Sequence, residues 1–291
     1  MSLLEQLDLA ARPSSALSTE MFGVLRAFVY EKTGIYFQDN KQYLLESRVG
    51  QRLRALGMRD FTAYFNFVRN GGAFQELPLL INAVTINETF FFRNPPQFEV
   101  LEQEVLPALL ARRASEGKRR IKIWSAACST GDEPYTLAIL IKERLLPKYP
   151  GVQFEIVGTD INTEVLETAR AGVYGPYAVR GVPPHYLHRY FTAQGDRYTL
   201  APEIRRMVSF QQMNLVDRNA MARMRDVDVI LCANVLIYFD QAAKQQAVTG
   251  FYSSLNPGGY LLVGFSETLY GVTQAFLPVR LNKTIAYQKA S

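Results

Sequence analysis

The sequence predicts an α/β protein with two domains: an all-helical N-terminal domain, and a doubly wound, Rossmann-like domain that carries a small antiparallel β insertion. Residues 18–86 repeat apolar positions at helical spacing without strand-like alternation, whereas strands and helices alternate after residue 97. Between these regions, Asn94-Pro95-Pro96 interrupts the helical pattern, because proline cannot donate a backbone hydrogen bond. A chain of 291 residues is long enough for two moderate domains.

The helical domain is predicted to span residues 18–93, after a flexible N-terminus of residues 1–17. Ser18 is a typical N-cap, and Phe22, Leu25 and Val29 follow it at the spacing of one helix face. Glycines indicate the later helix ends, at Gly34, Gly57 and Gly71-Gly72. The pattern therefore predicts a bundle of about four helices.

The second domain is predicted to span residues 94–291. Its pattern indicates helices at 97–114, 133–146, 162–171 and 240–255, and strands at 121–125, 153–159, 227–232 and 259–265. This alternation predicts a parallel, doubly wound sheet. The β insertion is expected at about 188–213, where Tyr190-Phe191, Tyr198–Leu200 and Val208–Phe210 surround a Gly195-Asp196 turn.

Composition is typical of a soluble globular protein, with 48% hydrophobic and 20% charged residues. The longest apolar run, Val227–Phe239, is too short to cross a bilayer. No basic segment followed by an apolar one opens the sequence, which favours a cytoplasmic protein. The two cysteines and two histidines have no metal-ligand spacing, so no metal site is predicted.

Residues 121–135 predict a cradle for a nucleotide-type cofactor, because a short apolar strand leads into a turn of small residues and then a helix. The next strand ends at Asp160, where an acidic side chain can hold the hydroxyl groups of a ribose. The turn lacks the glycine patterns that bind a pyrophosphate or a triphosphate. S-adenosylmethionine, which has a ribose and no phosphate, therefore fits better than NAD or ATP. The alternative is an ordinary buried strand, turn and helix.

Ligands of doubly wound sheets bind outside the carboxyl ends of the strands. The strand ends predict a site built from Ser125–Glu133, Thr159-Asp160, Asn214-Leu215 and Cys232–Tyr238. Within it, Asn214 and Asn234 can both donate and accept hydrogen bonds, which suits an adenine edge or an amino-acid terminus. Glu133 can accept from an ammonium group, or else it only complements the dipole of its helix.

Two further features carry charge. Arg93 follows three aromatic residues, Phe90–Phe92, which are expected in an interdomain core, and its guanidinium can bind a carboxylate through two hydrogen bonds or form a structural salt bridge. Residues 41–59 carry five cations against Glu46 beside an apolar stripe of Leu45, Val49, Leu53 and Leu56. A solvated face, a nucleic-acid surface and a docking face for an acidic helical protein all fit this pattern. The other basic cluster, at 112–120, is expected to be a solvated turn.

These motifs resemble those of the CheR-type chemotaxis receptor methyltransferases, and they follow that family's order along almost the whole chain. The matching segments are Gly34–Phe37 with Lys41, Leu44-Leu45, Arg48 and Arg52–Arg54; Asn87, Thr89 and Phe91–Arg93; Trp124–Tyr135; Asp160; Asn214-Leu215; Asn234–Asp240; and Pro257–Tyr260 with Ser266-Glu267.

The resemblance implies transfer of a methyl group from S-adenosylmethionine to glutamate side chains of bacterial chemoreceptors, which leaves glutamate methyl esters and S-adenosylhomocysteine. It places Arg93 and Tyr238 beside the methyl acceptor as catalytic residues. It implies that cofactor contacts come from Asn87, Thr89, Arg93, Glu133, Asp160, Asn214, Leu215, Ala233 and Asn234. It favours receptor docking by Lys41, Arg48, Arg52 and Arg54, because receptor methylation helices are rich in glutamate.

The resemblance also implies that the β insertion tethers a C-terminal peptide of the receptor, and it implies neither a nucleic-acid partner nor direct membrane insertion. One departure concerns Ala233, where the family usually has arginine in a Cys-Arg-Asn-Val segment, so only a backbone contact is expected there. Two alternatives stay open: a methyltransferase acting on RNA or a small molecule, and a scaffold that binds S-adenosylmethionine without turnover.

Overall fold

The computed structural model describes residues 16–70, 73–282 and 284–290. Its contacts divide the chain into two compact units. The first contains the described residues up to Ile86 together with Tyr238–Asp240, and the second contains Asn87–Ile237 and the described residues from Gln241 onwards. No helix within the described ranges is long and apolar enough to cross a membrane.

The boundary between the units falls between Ile86 and Asn87 rather than after Arg93 as predicted. Phe91 explains the difference, because its side chain is fully buried and its backbone N–H donates to the Ala178 carbonyl oxygen at 2.9 Å. Its ring meets those of Tyr174 and Phe191 edge-to-face, with centroids 4.8 and 5.1 Å apart. Phe91 therefore belongs to the second unit's own core.

The first unit contains four α-helices in its described part: α1 Thr19–Thr33, α2 Gln42–Ala55, α3 Phe61–Asn70 and α4 Ala73–Val84. The Ser18 hydroxyl caps α1 by accepting from the Met21 backbone N–H at 3.2 Å, and Gly34 ends it with a left-handed φ of 75°. The predicted flexible segment lies outside the described residues except for Ala16 and Leu17. Leu17 is buried, and its backbone N–H donates to Glu46.

Helix α2 buries Leu45, Val49 and Leu53 as predicted, whereas Leu56 is exposed. Arg48 and Arg52, two of the cations in the expected docking face, are half-buried rather than fully exposed. Both side chains make contacts within the unit. Arg48 Nη1 donates to the carbonyl oxygens of Ala83 and Thr85 at 2.7 and 2.9 Å. Arg52 donates to both carboxylate oxygens of Glu76 at 2.8 and 2.9 Å. Because Glu76 is buried and 24 positions away, its pairing could not be inferred from the helix itself.

The second unit is built on a seven-stranded sheet in the order β6-β2-β1-β7-β8-β10-β9. Its strands are β1 Arg120–Ala126, β2 Gln153–Asp160, β6 Val208–Gln212, β7 Val227–Cys232, β8 Leu255–Val263, β9 Phe276–Arg280 and β10 Ile285–Lys289. Pairs among the first five are parallel, and β10 pairs antiparallel with both β8 and β9. The doubly wound prediction is confirmed, with β9 and β10 added.

The β insertion is real but contains different strands from those predicted. Its three-stranded antiparallel sheet has the order β3-β5-β4, with β3 Val173–Tyr174, β4 Phe191–Gln194 and β5 Arg197–Leu200. The assignment of Val208–Phe210 to it is wrong, because this segment lies parallel to β2 as the edge of the main sheet. Phe210 packs there against Tyr135, with ring centroids 5.4 Å apart.

Helices flank the main sheet. The long predicted helices are α5 Pro95–Val100, which continues through a π-helical turn into α6 Leu106–Ser115; α7 Asp132–Leu140, extended by a π-helical turn to Leu145; α8 Thr163–Ala171; and α13 Gln241–Ser254. Four short helices complete the unit: α9 Pro176–Val179, α10 Pro184–Tyr190, α11 Pro202–Arg205 and α12 Arg218–Arg223.

Arg113 corrects the expectation that residues 112–120 form only a solvated turn. Its side chain is buried and forms an ion pair with the buried Asp228 of β7. The same carboxylate accepts from the Lys122 backbone N–H at 2.9 Å and from Asn256 Nδ2 at 3.0 Å. Asp228 thus joins α6, β1, β7 and β8 at the end of the sheet opposite to the predicted site.

Candidate cofactor and methyl-acceptor site

Five strands of the main sheet bring their carboxyl ends to one edge. The aligned pairs are Ala126 with Thr159, Asp160 with Gln212, Ser125 with Leu231, and Cys232 with Val263. The loops that follow them, at 127–131, 161–162, 213–215, 233–237 and 264–267, are therefore neighbours. This is the edge at which doubly wound sheets bind ligands, and it contains the strand-end residues predicted from the sequence.

The loop after β1 has a strained backbone. Ala127, Ser129 and Gly131 have φ values of 55°, 50° and 86°, in the left-handed region. Position 131 requires glycine for two reasons: the left-handed φ, and the lack of space, since a Cβ there would lie 3.0 Å from both the Ala169 Cβ and the Phe210 ring. The Ser129 hydroxyl donates to the Asn87 carbonyl oxygen at 3.0 Å. The loop is therefore fixed in shape and joined to the segment that carries Asn87.

Asp160 lies at the end of β2 and is buried. Its Oδ2 accepts from the Ser129 backbone N–H at 2.8 Å, and its Oδ1 accepts from the Asn162 backbone N–H at 2.9 Å. Burial raises the pKa of this carboxyl group, although these hydrogen bonds act in the opposite direction. Two oxygens offer about four acceptor positions, so the carboxylate can accept further hydrogen bonds from hydroxyl groups of a ligand.

Glu133 stands in the first turn of α7 and is half-buried. Its Oε1 accepts from the Ser125 hydroxyl at 2.6 Å. Burial raises its pKa to about 7, Ser125 and Arg93 act to lower it, and the negative charge of Glu267 raises it further. A carboxylate that is costly to ionise here is a suitable partner for a cationic group brought by a ligand.

Glu267 was not assigned a role from the sequence, yet it shapes the loop after β7. Its Oε2 accepts from the backbone N–H groups of Gly264 and Asn234 at 2.7 and 2.8 Å, and its Oε1 accepts from those of Val235 and Ile237 at 2.9 and 3.3 Å. Asn234, held in this way, has a left-handed φ of 61°. Its position is the signal that could have identified it, because Glu267 follows the carboxyl end of β8 as the other site residues follow their strands.

The other predicted residues are placed as follows. Asn214 Oδ1 accepts from the Val216 backbone N–H at 3.1 Å, and Leu215 is buried. Thr89 and Ala233 are half-buried within the second unit. Tyr238 groups with the first unit, where its carbonyl oxygen accepts from the Tyr36 backbone N–H at 2.9 Å. The structure thus brings the strand-end residues together, while Tyr238 belongs by its contacts to the other unit.

The residues at this edge fit S-adenosylmethionine. Asp160 offers acceptor positions for ribose hydroxyls, Glu133 offers a half-buried carboxylate for an ammonium group, and Asn234 sits in a fixed loop. The turn at 127–131 is followed by a buried acidic residue, Asp132, at the start of α7. A phosphate would bring negative charge to this same helix N-terminus and be repelled by it. These acidic, hydrogen-bond-accepting side chains therefore suit a cofactor that is cationic and carries no phosphate.

Comparison with known proteins agrees with this geometry. The family described as "CheR methyltransferase, all-alpha domain" matches residues 20–85, and "CheR methyltransferase, SAM binding domain" matches residues 87–285. Chemotaxis protein methyltransferase 2 of Vibrio cholerae is 38% identical over 91% of this chain and 91% of its own length. Chemotaxis protein methyltransferase 1 of Pseudomonas aeruginosa is 37% identical over 92% of this chain and 97% of its own length. With both parts of the chain matched in order, the protein belongs to the CheR methyltransferase family.

Proposed function

We propose that this protein transfers the methyl group of S-adenosylmethionine to glutamate side chains of bacterial chemoreceptors. Membership of the CheR methyltransferase family carries the proposal, and the strand-end site supports it. When bound, S-adenosylmethionine supplies an electrophilic methyl group on a sulfonium. A glutamate side chain has an ordinary pKa of about 4.3 and is already a carboxylate at neutral pH, so no general base is required.

The residues of the site act by binding and orientation. Asp160 holds the ribose hydroxyls, Glu133 holds the ammonium group, and Asn214 and Asn234 bind the polar edges of the cofactor. Asn87, Thr89, Leu215 and the Ala233 backbone complete this set. Correct orientation of two reactants supplies on the order of 7–11 kcal/mol of rate acceleration, which is the main contribution the protein needs to make.

Arg93 orients the acceptor carboxylate. Its Nη1 donates to the Glu88 carbonyl oxygen at 2.5 Å, which fixes the side chain while other donors of the guanidinium stay available to a carboxylate. The Tyr238 hydroxyl holds one oxygen of the same acceptor. These two assignments follow the family resemblance, and the half-buried position of Arg93 supports the first.

The helical unit recognises the receptor through charge. Lys41 and Arg54 are exposed and carry this role, whereas Arg48 and Arg52 hold the helical unit together. The β insertion binds a C-terminal peptide of the receptor, supported by strand β4, which lies at an edge of its sheet with Thr192–Gln194 exposed. We place the protein in the cytoplasm, recruited to membrane receptors.

Transfer of labelled methyl from S-adenosylmethionine to chemoreceptor cytoplasmic fragments tests the proposal. We expect label on the fragment that alkali releases as methanol, as from a carboxyl ester. Fragments with glutamine in place of the acceptor glutamates are the matched control. Label on RNA or on a small molecule would identify another methyltransferase, and calorimetric cofactor binding without transfer to any acceptor would identify a non-catalytic scaffold.

A further inference from the structure

Two guanidinium groups share one aromatic ring at the surface of the second unit. The Cζ of Arg180 lies 3.5 Å from the Phe90 ring centroid and 3.4 Å from that of Tyr177. The Cζ of Arg93 lies over the same Phe90 ring, 5.8 Å from its centroid. Because both groups lie over the same ring, the distance between the two Cζ atoms cannot exceed the sum of their distances to the ring centroid, and the two guanidinium groups are neighbours. Arg93 is the proposed acceptor-binding residue, and Arg180 has no role so far.

The backbone holds Arg180 in this position. The Phe91 N–H donates to the Ala178 carbonyl oxygen at 2.9 Å, which joins the aromatic segment to α9. A Cβ on Gly181 would lie 2.4 Å from the Phe91 carbonyl oxygen, so the close approach requires glycine at this position. Arg180 Nη1 donates to the Tyr177 carbonyl oxygen at 2.7 Å. The guanidinium is thus oriented before any ligand arrives.

Both guanidinium groups keep donors for a ligand. Throughout residues 16–70, 73–282 and 284–290, neither Arg93 nor Arg180 has a carboxylate within ion-pair distance, and each makes one hydrogen bond to a backbone carbonyl oxygen. A guanidinium has five donors. Arg180 is exposed, and the acidic side chain of the cluster, Glu88, accepts from the Tyr177 hydroxyl at 2.8 Å.

The cluster also lies close to the cofactor loop. The charge of Arg93 acts to lower the pKa of Glu133, and that of Arg180 acts to lower the pKa of the adjacent Asp132, although burial raises these values to about 7 and about 6. The Phe92 backbone N–H donates to the Thr136 hydroxyl of α7 at 3.1 Å, so the adjacent Phe90 ring, which both arginines share, lies beside this helix. Arg180 is therefore on the same side of the unit as the acceptor-binding Arg93.

We propose that Arg180 binds a second carboxylate of the protein substrate, on a residue three or four positions from the acceptor glutamate, while Arg93 binds the acceptor itself. Residues at this spacing on a helix have Cβ atoms about 5–6 Å apart. Two acidic side chains of the substrate at that separation can therefore reach Arg93 and Arg180 at the same time. The planar guanidinium of Arg180, held beside the Phe90 and Tyr177 rings, can donate two parallel hydrogen bonds to a carboxylate. The inference rests on the proposed function and specifies which acidic segments the site accepts.

Kinetics of Arg180→Ala on chemoreceptor cytoplasmic fragments test the inference. We expect KM for the fragment to rise about tenfold, the effect of losing roughly one charge-assisted contact, with kcat and cofactor affinity unchanged. Arg180→Lys keeps the charge but not the planar, bidentate donor group, and we expect an intermediate KM. Arg223→Ala removes an exposed arginine elsewhere on the same unit and is the matched control.

Fragments in which each acidic residue near the methylated glutamate is replaced singly by glutamine identify the second carboxylate. One replacement, three or four positions away, should raise KM for the wild-type enzyme and abolish its difference from Arg180→Ala. If the difference persists with every replacement, or if Arg180→Ala instead weakens cofactor binding, the inference is overturned. If the wild-type enzyme methylates no fragment, the proposed function fails first, which is a distinct result.

Discussion

Replacement of Glu267 by glutamine tests whether this carboxylate shapes the cofactor loop. Each of its oxygens accepts two backbone N–H groups, from Gly264 and Asn234 on one side and from Val235 and Ile237 on the other. Glutamine has one oxygen and one NH₂ group, so in either orientation its NH₂ must face two backbone donors. Two hydrogen bonds to a charged group are lost and two donors are left without an acceptor, which should cost about 3 kcal/mol in all.

Thermal unfolding and titration calorimetry provide the measurements. A unit of this size changes its melting temperature by about 2–4 °C per kcal/mol, so Glu267→Gln should lower it by about 6–12 °C. Cofactor binding should weaken as well, because Asn234 lies in the displaced loop. Glu167→Gln, an exposed carboxylate on α8, is the control and should change neither quantity. A melting temperature within about 2 °C of wild type, with unchanged cofactor affinity, would refute this account of the loop.

Three further predictions follow from the same contacts. Asp160→Ala should weaken S-adenosylmethionine binding by about 1.5–3 kcal/mol in calorimetry, and unchanged affinity would remove Asp160 from the site. Because the pKa of Glu133 is raised to about 7, its ionised fraction falls on acidification, and cofactor affinity should drop about tenfold from pH 8 to pH 6. The Glu133→Gln variant should bind the cofactor weakly, with no such pH dependence. A wild-type affinity that does not change with pH would contradict the assignment. Arg52→Ala leaves buried Glu76 without its cationic partner, with only the Tyr64 hydroxyl donating to it, and should cost about 3 kcal/mol in urea unfolding. Exposed Arg54→Ala should cost less than about 0.5 kcal/mol, and equal effects would show that Arg52 acts only as a solvated charge.

The strand-end residues could be predicted from the sequence because their placement depends on topology. Once β1, β2 and β7 are recognised as parallel neighbours, their carboxyl ends must meet at one edge. The edge strand β6 could not be placed in this way. Its Val208–Phe210 pattern is short and half exposed, and only its parallel register with β2 separates it from the nearby antiparallel insertion.

The contacts of the charged residues on α2 could not be predicted from the sequence either. The spacing of Arg48 and Arg52 correctly predicts that they share one side of α2, but a helical pattern cannot show what lies opposite that side. In the structure it meets the end of α4 and the buried Glu76, so both charges are used internally. A sequence pattern therefore predicted the buried stripe of the helix better than the use of its cations.

Backbone strain offers evidence for the site that does not depend on any resemblance. Among the described residues, five that are not glycine have left-handed φ values: Phe92, Ala127, Ser129, Asp226 and Asn234. All but Asp226 are in, or next to, segments that carry proposed site residues. Each such conformation costs on the order of 1–3 kcal/mol and persists only where surrounding contacts enforce it. For three of these four residues the contacts are identifiable, since Phe92 N–H donates to the Thr136 hydroxyl, Ser129 N–H to Asp160, and Asn234 N–H to Glu267. The side chains of Thr136, Asp160 and Glu267 thus stabilise strained backbone conformations in segments that carry proposed site residues. Backbone strain of this kind is common at ligand-binding sites.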